Sequence, residues 1–279
     1  MVTGSNSIST RAEFIDDAIE QLSANEGVLS IFHTEGGLSF SLAHASSGRV
    51  MLLVDYELDN RPDSGLELLN QFNETFHAYQ LGWDVERFTW IPQELFLESE
   101  TTQIGLKLLG INNAVATAIP ELEAVLIHSP IPPVLERIAE ALDGPALLPK
   151  PASDVLALGR HWKTRPGEHV YLHIEPEYLD ILAFSNGKLQ LHNRFVAKTN
   201  EDKLYFVLYA YEQLKFQTDE VPLKLSGSIL ENSELWKSFG KYIRNVEWLE
   251  NLNQVHSTAS IPQTQLRRYA PLIHLHSCV

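Results

Sequence analysis

The sequence predicts an α/β fold built from two similar halves. Segments in which apolar and polar residues alternate predict strands, and segments with apolar residues three and four apart predict helices. In each half, three strands joined by short turns precede a helix, a strand and a second helix. Because strands joined by short turns pair in antiparallel fashion, each half should contain a three-stranded meander extended by parallel strands and flanked by helices. A length of 279 residues suits two such units.

The first half is predicted to begin with a helix. Thr10 and Glu13 have the spacing of a capping box, and apolar residues then recur at helical spacing to residue 23. A meander follows over residues 28–58. The elements predicted beyond it are a helix from Ser64 that contains Tyr79 and stops at Gly82, a strand over 87–91, a helical stretch from Pro92, a strand over 125–128 and a helix from Ile131 to Leu142.

The second half repeats this order. The predicted strands cover 170–174, 179–184 and 189–195, and Asn186-Gly187 is typical of a two-residue hairpin turn. A helix capped by Thr199, a strand over 221–225 and a helix beginning at Ser233 complete it. Between the halves, Leu148-Pro149-Lys150-Pro151 predicts a break in regular structure. We therefore expect a first subdomain over 1–150 and a second over 151–279.

Composition excludes several classes of protein. The net charge of −15 repels phosphate backbones, so we expect no nucleic-acid partner. One cysteine forms no internal disulfide, which is typical of a protein kept in a reducing compartment. The sequence contains no apolar run of about 18 residues, so we expect no integral membrane segment. The first residues lack the apolar core of a signal peptide. Together these features predict an acidic cytoplasmic protein.

Two blocks carry a resemblance to a known family: LQLHNRFVAKTNEDKLYFVLYAYEQL at 189–214 and VPLKLSG at 221–227. They resemble domain-of-unknown-function family 3822, which residues 29–42 and the late Tyr-Ala-Pro-Leu-Ile segment also fit. This family is similar to pilus and secretion assembly ATPases in the superfamily of actin, the heat-shock ATPases and hexokinase. The resemblance implies a duplicated actin-like, ribonuclease H-like fold in degenerate form. It implies no assigned activity.

The same resemblance implies where a nucleotide would bind. Active members of the superfamily place glycines and an acid in each first hairpin, because glycine lets the backbone approach phosphates and an acid holds a metal or orients water. The first hairpin here has two glycines and an acid, but glutamate stands where aspartate is usual, and a plain hairpin turn is the simpler interpretation. The second hairpin has Pro176 and no glycine, and the third turn fits only by position. The candidate ligand-binding residues of the cleft are Glu35, Gly36, Gly37, Glu175, Ser226 and Gly227. No catalytic residue and no metal ligand is assigned.

One fitting loop out of three predicts absent or very weak ATP hydrolysis and no bound cofactor. The leading hypothesis is a non-catalytic protein that acts through a protein partner, through self-association or through weak ligand binding in the cleft. Aromatic residues on nearly all faces of the helix over 204–214 favour such contacts. The alternative is an active ATP-binding protein that uses Mg²⁺, either an assembly ATPase or a small-molecule kinase. A regulator of a membrane assembly machine is a third possibility.

Histidines offer a weaker hypothesis. His274, His276 and Cys278 share a face if that segment is a strand, which would suit a zinc ion. The simpler interpretation is polar residues at a frayed terminus. His33 and His173 end the first strand of each half, and we expect both to be structural.

Overall fold

The computed structural model describes residues 8–34, 36–58, 61, 63–72, 75–249 and 256–278. The strands are β1 Ser9–Ile15, β2 Gly27–Thr34, β3 Gly37–His44, β4 Val50–Glu57, β5 Ala78–Trp83, β6 Phe88–Pro92, β7 Val115–Ile119, β8 Ala124–His128, β9 Ala146–Pro149, β10 Glu168–Ile174, β11 Tyr178–Ser185, β12 Lys188–Val196, β13 Leu223–Gly227 and β14 Val246–Trp248. The α-helices are α1 Ser64–Leu69, α2 Thr101–Ile104, α3 Pro133–Ala141, α4 Lys150–Trp162, α5 Asn200–Leu214, α6 Glu234–Gly240, α7 Gln263–Arg268 and α8 Ala270–His276.

The two halves form two sheets of the same design. In the first sheet the order is β1-β4-β3-β2-β5-β9, and in the second it is β12-β11-β10-β13-β14. The strands β2, β3 and β4 form an antiparallel meander, to which β5 and β9 add in parallel. The strands β10, β11 and β12 form the second meander, extended by the parallel β13 and β14. The predicted fold class is confirmed.

Each sheet is covered on its outer face by its own helices. A further layer of helices lies between the two sheets and contacts both. Helices α1 and α3 cover one face of the first sheet, and α5 and α6 cover the corresponding face of the second. Helix α4 follows β9 but packs Trp162 against Phe184 of the second sheet. Helix α8 packs Leu272 against Phe32 of the first sheet. Because α4 and α8 also contact each other, these two helices join the two halves.

The N-terminal segment corrects one prediction. Residues predicted as a helix over 10–23 instead form β1, which pairs antiparallel with β4. Of the apolar residues spaced as in a helix, Phe14 lies in β1, whereas Ala18 and Ile19 lie in a 3-10 turn over Asp17–Gln21, which is capped by Asp16 and not by Thr10. The free edge of β4 satisfies the backbone of β1 along its length, and this tertiary pairing outweighs the local helical pattern.

Two further boundaries differ from the sequence predictions. Helix α1 ends at Leu69, and both Tyr79 and Gly82 lie in β5. A Cβ atom on Gly82 would approach Leu275 of α8 to 2.5 Å, so this glycine permits close helix packing and does not end a helix. The proline-rich stretch is not a break, because β9 passes directly into α4. Pro151 occupies the first turn of that helix, where a missing N–H costs no hydrogen bond.

The first half also contains an inserted sheet with the order β6-β8-β7. The strand predicted over 87–91 therefore exists as β6, but the counterpart of β13 is β5. Helix α3 and β9 then correspond to α6 and β14. None of the helices among the described residues has the length and apolar character needed to cross a membrane.

Candidate functional site

Parallel strands of both sheets end in one shared cleft. Asp84 follows β5, Lys150 follows β9, Glu175 follows β10 and Ser228 follows β13. In open α/β sheets, ligands bind beyond the carboxyl ends of the parallel strands. All four residues line one cavity of about 180 Å³, although they come from two sheets. This cavity is the candidate functional site.

A second cavity of about 630 Å³ lies beside the first, and its lining includes His33, Glu177 and Arg194. Asp84 and Tyr178 line both cavities. These two side chains therefore form the wall that divides the space between the halves.

An ion pair builds that wall. Arg194 of β12 donates two hydrogen bonds to Asp84, at 2.8 Å to Oδ1 and 3.0 Å to Oδ2. The Tyr178 hydroxyl donates to Asp84 Oδ2 at 3.3 Å, and the guanidinium carbon of Arg194 lies 3.8 Å from the centre of the Tyr178 ring. We call these three residues the interdomain bridge, because Asp84 belongs to the first half and the other two to the second. A bidentate arginine–carboxylate pair fixes both distance and orientation.

A buried charge network continues behind the bridge. Arg194 Nε donates to Asp180 at 2.7 Å, and Lys150 Nζ donates at 2.6 Å to both Asp180 and Asp154. Burial alone would lower the pKa of Lys150, but the carboxylates of Asp154 and Asp180 outweigh it and raise that pKa. Burial likewise opposes ionisation of Asp180, yet Lys150 and Arg194 hold its pKa well below the usual range. All of these groups stay charged, and Lys150 is not a free base.

A hydrogen-bonded series that resembles a catalytic triad joins β13 to the end of β10. Ser226 Oγ lies 2.9 Å from His173 Nδ1, and His173 Nε2 lies 3.1 Å from Glu175 Oε1. Burial alone would raise the pKa of Glu175, but its hydrogen bond with His173 contributes to a net lowering. Ser226 is buried, however, and its hydroxyl also bonds to that of Tyr171. A nucleophile needs access to its substrate, so this series positions Glu175 and leaves Ser226 with a structural role.

Gly36 and Gly37, the two described candidates of the first hairpin, line neither cavity. Glu35 lies outside the described residues. The carbonyl of Gly36 accepts a 2.6 Å hydrogen bond from Arg11 Nη2. A Cβ atom on Gly37 would approach the carbonyl oxygen of Tyr56 to 2.0 Å, so glycine is needed there for β3 to lie beside β4. Arg11, which the sequence did not single out, lines the smaller cavity.

Of the second-half candidates, only Glu175 lines the smaller cavity. Gly227 has a φ of 89°, and a Cβ atom there would approach the carbonyl oxygen of Ile174 to 2.2 Å. Its conformation and its close contact therefore both require glycine. Ser228, one residue beyond the predicted turn, donates to Glu175 Oε2 at 3.0 Å and lines the cavity.

Comparison with known protein families identifies the family of the chain. A family described as "Protein of unknown function (DUF3822)" matches residues 16–246. The chain belongs to this family. No curated protein matches the chain.

Solved structures similar to this DUF3822 protein share its fold. One is a Bacteroides thetaiotaomicron protein with an actin-like ATPase fold and unknown function. It has a TM-score of 0.67 and 22% identity, over 82% of this chain and 93% of that chain. Another is a PilM-PilN type IV pilus biogenesis complex, with a TM-score of 0.54 and 12% identity, over 91% of this chain and 98% of the other. At these identities the likeness shows the actin-like fold alone.

Sequence reasoning missed most of the charged residues at the site. Asp180 lies in the apolar strand sequence YLDILAFS. Arg194 lies in the next strand, β12, on the face that is turned towards the interior. An isolated charge inside an apolar strand is a usable signal, because such a group is buried only when it is paired. Asp84 and Lys150 carry no comparable signal, since both stand at strand ends where charges are common.

The two strand-end histidines prove to face opposite sides of their sheets. His33 pairs across the strands with Leu38, which belongs to the core between the first sheet and helices α1 and α3. His173 pairs across the strands with Asp180 of the buried charge network. In the strand register, the residue of β2 that corresponds to His173 of β10 is therefore Phe32. Burial lowers the pKa of His33, which favours its neutral form.

The C-terminal histidines lie in α8 and not in a frayed end. His274 bonds to Asp154, and its buried ring has a lowered pKa. Burial raises the pKa of the Cys278 thiol to about 12. In the part of the chain that the structure describes, no three His, Cys, Asp or Glu side chains are arranged to hold a metal ion.

Proposed function

We propose that this DUF3822 protein is a non-catalytic actin-like protein that acts through protein contacts and retains a site for a small ligand in its cleft. The observation that carries the proposal is the pairing of charges where the two sheets converge. Lys150 is neutralised by Asp154 and Asp180, and Arg194 by Asp84 and Asp180.

Phosphoryl transfer requires cations and an acid that remain available to the nucleotide and its metal, because positioning and charge stabilisation supply nearly all of the rate. Here Lys150 and Arg194 are committed to protein carboxylates. Glu175 already accepts hydrogen bonds from His173 and Ser228. A Mg²⁺–ATP complex would have to disrupt these pairs before it could be held for reaction.

Cavity size favours the same conclusion. Sites for drug-sized ligands occupy about 300–1,000 Å³. The cavity at the strand ends measures about 180 Å³, and the bridge separates it from the larger one. A ligand much smaller than a nucleotide suits this space.

An aromatic surface supports a role in protein contacts. Tyr205 and Tyr209 on α5 stack at 5.9 Å and are 59% and 43% exposed, and Val196 at the end of β12 is 68% exposed. Aromatic side chains are enriched at interfaces. The partner is an unidentified protein or a second copy of the chain. The acidic charge and the single cysteine suit a cytoplasmic location.

The alternative function is an ATPase or small-molecule kinase. It is favoured by the meeting of parallel strand ends from both sheets and by the 630 Å³ cavity beyond the bridge. In such an enzyme, opening of the bridge would join the two cavities.

The test is a measurement of Mg²⁺–ATP binding by calorimetry together with release of phosphate, on the wild type and the variants Glu35→Ala and Glu175→Gln. We expect no turnover above the protein-free rate in any of them. Micromolar binding with turnover that Glu35→Ala abolishes would overturn the proposal. Glu220→Gln serves as a matched control, because this exposed glutamate lines neither cavity.

A further inference from the structure

The acids that line the 180 Å³ cavity have little capacity left for a ligand. Asp55 accepts hydrogen bonds from Ser39 Oγ at 2.8 Å and from the Tyr269 hydroxyl at 3.3 Å. Asp84 is held in the interdomain bridge, and Glu175 accepts from two side chains. A cationic ligand would therefore find no unpaired carboxylate among the described residues that line the cavity.

Two cations at the same cavity are less committed. Arg11 donates one hydrogen bond to the Gly36 carbonyl, and the carboxylate paired with it among the described residues, that of Glu57, is exposed and 3.9 Å away. Arg268 is exposed and forms no ion pair within the described residues. A guanidinium carries five N–H donors in a planar fork, which matches the oxygens of a carboxylate or phosphate. Most donors of both side chains are thus available at the cavity.

Both arginines line the cavity together with Tyr269. Arg11 comes from β1 and Arg268 from the end of α7, so two distant segments bring positive charge to the same cavity. Burial raises the pKa of the Tyr269 hydroxyl to about 12, with Asp55 adding to the rise, while Arg268 and Arg11 both oppose it.

The interior of the cavity is partly apolar. Phe32 and Leu272 line it and are both buried, and Pro271 lies beside them. An empty apolar space of about 150 Å³ is large enough for a benzene ring. A ligand with a compact apolar body and a charged end would satisfy both parts of this surface.

We propose that the 180 Å³ cavity binds a small organic oxyanion, with its phosphate or carboxylate group between Arg11 and Arg268 and its apolar part against Phe32 and Leu272. This proposal rests on the small-ligand part of the proposed function and names the class of that ligand. It assigns recognition to two arginines rather than to glycine-rich hairpin loops.

The experiment uses three probes that share one ring: phenyl phosphate, benzoate and the neutral benzamide. Their affinities for the full-length wild type are measured by calorimetry. We expect at least one of the two anions to bind with a dissociation constant of about 1 mM or tighter, and benzamide to bind at least about tenfold more weakly. The tighter of the two anions identifies phosphate or carboxylate as the preferred group.

The variants Arg11→Gln and Arg268→Gln should each weaken binding of the preferred anion about tenfold, because each loses a charged guanidinium group and its paired N–H donors. Arg244→Gln is the matched control, since Arg244 is also exposed but lies before β14 and away from the cavity. It should keep the wild-type affinity. Thermal unfolding of each variant verifies that it is folded.

The proposal is wrong if neither anion binds, if benzamide binds as tightly as the anions, or if both arginine variants keep the wild-type affinity. A failure here is distinct from a failure of the non-catalytic assignment. Turnover of Mg²⁺–ATP would overturn that assignment while leaving anion binding by Arg11 and Arg268 intact, whereas loss of anion binding says nothing about turnover.

Discussion

Equivalent positions in the two sheets carry different chemistry. In the first sheet, Ser39 of β3 pairs across the strands with Asp55 of β4. In the second, Asp180 of β11 pairs in the same way with Arg194 of β12. Both pairs face the central layer of helices. The first pair is a single hydrogen bond beside a cavity, whereas the second belongs to a buried network that reaches Lys150.

This difference shows how a duplicated framework divides its tasks. In the second half, opposite charges fill the space beneath the strand ends and fix the other half through Asp84. In the first half, the smaller Ser39 side chain leaves room, and Asp55 remains only partly buried. The same strand register thus supports an ion pair between the halves in the second sheet and a ligand-sized cavity in the first sheet. Three predictions test this contrast.

The largest effect is expected from Asp180→Ala. This variant leaves two buried cations, Lys150 and Arg194, without a shared carboxylate. Loss of one member of a buried ion pair costs about 3–5 kcal/mol. The equivalent change in the first sheet, Ser39→Ala, removes one neutral donor to a partly buried carboxylate and should cost about 1–3 kcal/mol. Urea unfolding, followed by fluorescence, measures the free energy of unfolding of both variants.

Equal losses in the two variants would contradict the contrast between the halves. If Asp180→Ala does not fold, Asp180→Asn keeps the side-chain volume and still removes the charge. It should remain less stable than Ser39→Ala. The variant Glu177→Gln is a control for removal of an exposed charge, and such surface changes usually stay within about 0.5 kcal/mol.

A smaller effect is expected at the first hairpin, where two neighbouring glycines differ in their surroundings. Gly37→Ala places a Cβ atom 2.0 Å from the Tyr56 carbonyl oxygen, so β3 and β4 must separate. Overpacking of this kind costs about 1–3 kcal/mol. Gly36→Ala meets only the flexible end of Arg11, at 2.9 Å, and should change stability by less than about 0.5 kcal/mol. Thermal and urea unfolding of the two variants supply the comparison.

These glycines also separate the structural interpretation from a phosphate-loop interpretation. If the hairpin held phosphate through its backbone, Gly36→Ala would weaken Mg²⁺–ATP binding while leaving stability unchanged. We expect no such selective loss. A Gly37→Ala protein as stable as the wild type would contradict the steric explanation for that residue.

The sequence predicted local features well and distant pairings poorly. The Asn186-Gly187 hairpin and the helix cap at Thr199 depend on residues close in sequence, and both are present. The Arg194–Asp84 pair joins residues 110 positions apart, so no local pattern predicts it. The N-terminal helix was predicted wrongly because the partner of β1 is also distant. Glycine was a misleading signal, since Gly37 and Gly227 are explained by close contacts between strands.

The smallest effect concerns a second joint between the halves, where Trp90 of β6 donates to His192 Nδ1 at 3.3 Å. This ring must stay neutral, because the atom that accepts the hydrogen bond carries no proton. Burial lowers the pKa of His192 to about 3, far below the usual value of about 6.5. The folded pKa is the lower one, so the stabilisation is complete above about pH 6.5 and is lost as the pH falls towards 3.

His192→Phe keeps a ring between Phe88 and Trp90 but removes the titration. Between pH 6.5 and 5.5, the wild type should lose about 1 kcal/mol more unfolding free energy than this variant, since each pH unit in that range is worth at most about 1.4 kcal/mol for one group. Urea unfolding at the two pH values gives both slopes. Gln190→Asn, an exposed change in the same strand, should keep the wild-type slope. Identical slopes for His192→Phe and the wild type would mean that the neutral ring contributes nothing to acid sensitivity.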